Sequence, residues 1–111
     1  MGGGKKETFG GMISYRLIIN SFAELDLKLA KEWYDLQQNK LGEEFILEVE
    51  EVFIRIEKSP KQFPKALKNI RKAVVHRFPF SIYFSLIGEK IIVFAVFHNS
   101  RNPIIWKKRS R

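Results

Sequence analysis

The chain has 111 residues, no cysteine, two histidines (His76 and His98) and an apolar fraction of 45%. That length fits one domain with its own core, and the composition excludes a disulfide framework, thiol catalysis, cysteine-ligated zinc and wholesale disorder. The net charge of +8 hides a split, −4 over residues 1–57 and +12 over residues 58–111, where Glu89 is the lone acid. Such an imbalance points to an anionic partner for the second half.

Residues 1–11, MGGGKKETFGG, hold two lysines but no apolar core, so they read as a flexible leader and not a secretory signal. The single ordered domain is expected over residues 12–111. A first strand is expected over Ile13–Ile19. Ser21 and Glu24 then have the spacing of a capping box. Phe22, Leu25, Leu29, Trp33 and Leu36 follow at intervals of three and four, which predicts a helix to about Gln38 with that stripe as its apolar face. Leu41-Gly42 marks a turn. A second helix is expected over Glu43–Lys58, with Phe45, Ile46, Val49, Val52, Phe53 and Ile56 on one side.

Ser59-Pro60 ends that helix, and a loop is expected as far as Asn69. Three strands come next, at Ile70–Arg77, Phe80–Ile87 and Ile91–Phe97, with a tight turn at Gly88-Glu89 between the last two. Asn102-Pro103 opens a short turn that carries Trp106. The order is β-α-α-β-β-β. It implies an α+β fold, with an N-terminal helical hairpin packed on a small antiparallel sheet, the C-terminal strands forming a meander and the first strand added to it. No apolar run is long enough to span a bilayer. The lack of cysteine is compatible with the cytoplasm.

Strand alternation puts Arg71 and Arg77 on one face of their strand, where they could grip phosphates or serve as ordinary edge charge. In the middle strand Phe80, Ile82, Phe84 and Leu86 read as core, and Tyr83 lies on the more open face. His98, three residues before Arg101, could move a proton beside a fixed guanidinium; the alternative is a strand-end cap with Arg101 as a tail anchor. Trp106 is either a plug that pins the tail or a stacking platform for a base. Lys107, Lys108, Arg109 and Arg111 form a basic run suited to loose nucleic-acid contact. There is no phosphate-cradling glycine loop, metal motif or carboxylate pair, so phosphodiester cleavage would have to proceed without a metal or cofactor.

Several ordered pieces form a further pattern. They are Trp33-Tyr34, Leu41-Gly42-x-x-Phe45, Pro60-x-x-Phe63-Pro64, Arg71, Phe78-Pro79-Phe80-x-Ile82-Tyr83-Phe84, and Val93 to His98 continued by x-x-Arg101-x-Pro103-x-x-Trp106. Together they resemble the RelE/ParE superfamily of bacterial type II toxins, often labelled plasmid stabilisation proteins. The resemblance implies a growth-inhibiting toxin, a cognate antitoxin protein, and one of two targets. RelE-like members cut ribosome-bound mRNA, for which Arg71, His98, Arg101 and Tyr83 would be the catalytic set. ParE-like members act on DNA gyrase without being nucleases, and Arg77, Trp106, Lys107, Lys108 and Arg109 would then bind a target or nucleic acid. The H-x-x-R-x-P-x-x-W ending looks closer to the ParE-like branch, because an indole cannot exchange protons as a tail tyrosine would.

Overall fold

The computed structural model describes Thr8, Phe9 and residues 12–109, with side chains from residue 14 onward. The expected leader lies mostly outside the described residues. Within it Thr8–Phe9 (β1) pairs antiparallel with Met12–Ile13 (β2).

Arg16–Ile19 (β3) runs parallel to Lys90–His98 (β7), with Leu17 opposite Ile91 and Ile19 opposite Val93. The chain then turns into α1, Ser21–Gln37. Its cap is Asn20, one residue before the expected Ser21, and the Asn20 side-chain oxygen accepts from the Ala23 N–H at 3.0 Å. Asn20 is still extended because its own N–H donates to the Val93 carbonyl at 3.0 Å. It leaves the strand in the geometry that a cap needs.

Lys40 takes a left-handed conformation (φ 67°) and starts α2, Leu41–Lys58, two residues earlier than expected. Gly42 is required there by close approach. Its N–H donates to Asp35 Oδ1 at 2.8 Å, and a Cβ would sit 2.6 Å from that same oxygen. The buried side of α2 is Phe45, Val49, Val52 and Ile56, a subset of the predicted face.

A short 3₁₀ turn at Pro60–Gln62 leads to Lys65–Leu67 (β4), a strand within the segment expected as loop. Ile70–Val74 (β5), Phe80–Ile87 (β6) and β7 form the antiparallel meander, and Gly88 (φ 61°) makes the β6–β7 turn. β5 stops at Val74 and not at Arg77, because Arg77 is left-handed (φ 72°) and the chain turns a corner through Phe78-Pro79. The sheet order is β3-β7-β6-β5-β4. The α+β fold is as expected, with one refinement: the parallel β3 makes the sheet mixed.

One side of the sheet packs on the helices through Ile82, Phe84 and Val93 against Phe45, Val49 and Ile56, all essentially fully buried. An aromatic group joins the layers, with Phe45 lying 5.4 Å from Phe78 and 4.8 Å from Phe80. The other side carries a second cluster: Ile70, Tyr83, Phe94, Ala95, Phe97 and Trp106. Trp106 comes from the tail helix α3, Ile104–Arg109. Among the described residues no helix is long and apolar enough to cross a membrane.

Candidate partner-binding groove and the predicted site residues

Two apolar stripes of period 3.6 run along α1. The structure buries the smaller one: Ala23, Asp26 and Tyr34 inward, with Leu27 and Ala30 partly covered. The bulky stripe expected to face the core, Phe22, Leu25, Leu29, Trp33 and Leu36, lies on the surface, with Leu36 84% and Trp33 57% exposed. The small Ala23 and Ala30 let the helix lie close to the sheet, and Tyr34 packs on Phe45 and Phe78. The large side chains of the other stripe have no apolar layer over them among the described residues, although the Arg109 guanidinium lies over Phe22.

Beside this stripe a groove of about 320 Å³ opens between α1 and the end of β7. Leu29, Ala30 and Trp33 form its α1 wall, Val96 and Phe80 its floor, and His98 and Arg101 its far rim. It is mostly apolar, with cationic and imidazole groups at one end.

Asp26 partners the free edge of β7 beyond its pairing with β3. β3 pairs with β7 only as far as Val93, so the edge groups beyond it need other partners. Asp26 Oδ2 accepts the Val96 N–H at 3.0 Å. The same carboxylate holds the Arg109 guanidinium in a two-point contact, at 2.6 and 3.1 Å, and Arg109 also donates to the Phe94 carbonyl at 3.3 Å. Arg109 further lies over the Phe97 ring at 4.7 Å and the Phe22 ring at 5.0 Å. Asp26 thus joins α1, β7 and α3. Breaking a buried, hydrogen-bonded pair of this kind costs about 3–5 kcal/mol. Asp26 was not among the sequence candidates, yet it is an acid on the helical face shared by Ala23, Ala30 and Tyr34, and that placement marks it.

The predicted catalytic set is not assembled at one place. Arg71 donates to the carbonyls of Phe63 at 2.6 Å and Lys61 at 3.2 Å, so it fastens the segment before β4. Tyr83 is buried, not open. Trp106 stacks on it with centroids 4.4 Å apart and planes 17° apart. Burial pushes the Tyr83 phenol above the ordinary tyrosine value, with the Trp106 indole working against it. His98 is exposed, and its Nδ1 lies 2.8 Å from the Ser100 hydroxyl. Arg101 lies over the Phe97 ring at 4.1 Å and 4.0 Å from Asp26. His98 and Arg101 line the groove, and Arg71 and Tyr83 do not.

The predicted binding set is likewise divided. Arg77 pairs with Glu44 at 2.7 Å and Glu48 at 3.7 Å on α2, off the sheet face expected for it. Trp106 is the plug and not the platform, at 4% exposure, and its Nε1 has no hydrogen-bond partner of good geometry among the described residues. Arg109 is spent on Asp26. Lys107 and Lys108 are exposed.

Comparison with known proteins matches this architecture. A family described as "ParE toxin of type II toxin-antitoxin system, parDE" matches residues 17–103. The chain belongs to the ParE toxin family. The match runs from β3 through the His98–Pro103 rim, and it bears out the RelE/ParE resemblance on its ParE side. Among solved structures, a chain of the chromosomal ParDE TA system from P. aeruginosa superimposes with a TM-score of 0.70 at 18% identity, covering 77% of this chain and 96% of that one. At that identity the likeness is one of fold. A comparison with curated protein sequences finds no significant match. As a ParE-family toxin, the chain shows its α1 stripe and groove on the helical side of the sheet, while Trp106 plugs the other side and Arg109 reaches round to Asp26 and Phe22.

Proposed function

We propose that this ParE-family protein is a cytoplasmic growth-inhibiting toxin that acts by binding, with DNA gyrase as the target its family resemblance implies, and that a cognate antitoxin silences it by covering the α1 stripe and the adjoining groove. The stacking of Trp106 on Tyr83 is the observation that carries the first part. A tyrosine sealed beneath an indole cannot reach a phosphodiester, and Arg71, Arg77 and Arg109 are each held by internal partners. Of the predicted catalytic set, His98 and Arg101 are left at the groove, without the tyrosine. Support for the second part comes from the uncovered apolar stripe, since patches of this size on a soluble domain mark partner sites. The similarity to a chain of a ParDE system agrees with a partner of antitoxin type.

One observation favours the alternative, a metal-independent mRNA endonuclease. His98 is exposed and shares the groove with Arg101. Induced expression without antitoxin separates the two. Binding action predicts loss of supercoiling with transcripts intact. Ribosome-dependent cuts within codons that disappear in His98→Ala would establish the nuclease instead. Harmless expression of a folded chain would refute both.

A further inference from the structure

The sequence placed the basic surface on the strands and tail, but much of that charge is neutralised internally. Among the described residues, one group of cations without a carboxylate partner lies at another edge. Residues 58–72 hold Lys58, Lys61, Lys65, Lys68, Arg71 and Lys72 and no acid. Lys58, Lys61, Lys65 and Lys68 are exposed, and among the described residues no ion pair joins any of these lysines to a carboxylate. The fold draws them together. Lys65 lies opposite Arg71 in the β4–β5 ladder, and the Lys72 N–H donates to the Pro64 carbonyl at 3.1 Å. The Arg71 guanidinium, tied to the carbonyls of Lys61 and Phe63, fixes the path of the segment and adds its own charge beneath it. At the tip of the hairpin Lys68 is left-handed (φ 48°).

We propose that this β4 edge, with the 3₁₀ turn before it, binds the phosphate backbone of double-stranded DNA. Lysines on a sheet edge discourage edge-to-edge pairing, which would account for Lys65. It does not account for Lys58 at the end of α2 or Lys61 in the 3₁₀ turn. The residue types choose the ligand. Ammonium groups are point charges that neutralise phosphates without reading bases. Single-stranded nucleic acid would call for exposed aromatic platforms, and the one aromatic residue of the segment, Phe63, is buried. The site is distinct from the groove, because β4 is the outermost strand at the opposite edge from β3 and a groove occupant leaves it open. The proposal is independent of the cellular target.

The test is fluorescence anisotropy of a labelled 30-base-pair duplex titrated with the full chain at several salt concentrations. Weak, sequence-independent binding is expected, with Kd on the order of 10 µM at low salt and a steep salt dependence. Lys61→Glu/Lys65→Glu should weaken it about tenfold or more and reduce the log–log salt slope by about 2. The charge-matched Lys28→Glu/Lys90→Glu, on α1 and β7, should bind within about threefold of the parent. If the first pair lowers the melting temperature, the neutral pair Lys61→Gln/Lys65→Gln decides, with a slope reduced by about 2 and the fold intact. Equal losses in both charge-matched pairs, unchanged binding in the β4 variants, or a loss concentrated in Lys107→Glu/Lys108→Glu would overturn the proposal. So would tighter binding of a single-stranded RNA of the same length.

Discussion

The two faces of the central sheet are covered in different ways. On one, α1 and α2 bury a continuous layer, yet α1 keeps its larger apolar stripe outside, beside a groove that ends at His98 and Arg101. On the other, a six-residue helix suffices, because Trp106 lies flat on Tyr83 and Arg109 reaches round to Asp26. The first face has apolar surface to spare and polar groups at its rim. The second has committed its aromatics and its arginine to the fold. Catalysis needs reactive groups free to meet substrate, whereas docking needs uncovered apolar area, so the difference favours docking on the α1 side and structure on the tail side.

That contrast can be broken first at its joint. Asp26→Ala removes one member of the buried pair and should cost about 3–5 kcal/mol in denaturant unfolding. A cost below about 1 kcal/mol would mean the tail is not fastened there.

Next, the adjacent residues Trp33 and Tyr34 should part company. Tyr34 is 9% exposed and packs on Phe45 and Phe78. Tyr34→Ala should cost about 3 kcal/mol or more. Trp33→Ala should leave stability within about 0.5 kcal/mol, while weakening antitoxin binding by calorimetry. Equal stability losses would show that the outer stripe belongs to the fold.

A smaller change is expected from Trp106→Phe. It loses ring area but removes a buried N–H that has no partner of good geometry, so the two effects offset and unfolding should shift by about 1 kcal/mol or less.

The smallest effect concerns the corner of the helical hairpin. The Lys31 side chain and, after it, the Gly42 N–H hold the Asp35 carboxyl below its ordinary value. A depressed folded pKa adds stability that is complete above the unfolded value and lost as pH falls through the folded one. Asp35→Asn should therefore flatten the acid limb of the stability curve below about pH 4 and leave its alkaline limb unchanged.

Much of the fold was legible because local signals agreed. Ser59-Pro60, Gly88 and the β6 alternation each mark a boundary or a face, whereas Leu41-Gly42, read as a turn, lies in the first turn of α2. What escaped had tertiary causes. Both stripes of α1 have helical period, and only packing against the sheet and α2 decides that Ala23 and Tyr34 go inward. β4 forms because Arg71 and β5 hold it. Tyr83 was on the correct strand face, but Trp106, nineteen residues beyond the end of β6, reaches back to cover it. Of the candidate site, His98 and Arg101 line one groove. Arg71 lies apart because it is held by the nearby carbonyls of Lys61 and Phe63, while Arg77 and Arg109 pair with Glu44 and Asp26 far back in the chain.

Growth arrest by Tyr83→Phe tests the central claim most directly. The substitution keeps the ring stacked under Trp106 and removes only the hydroxyl that a nuclease would use. Binding action predicts a folded protein that arrests growth as fully as the parent. A folded Tyr83→Phe chain that no longer arrests growth would contradict it.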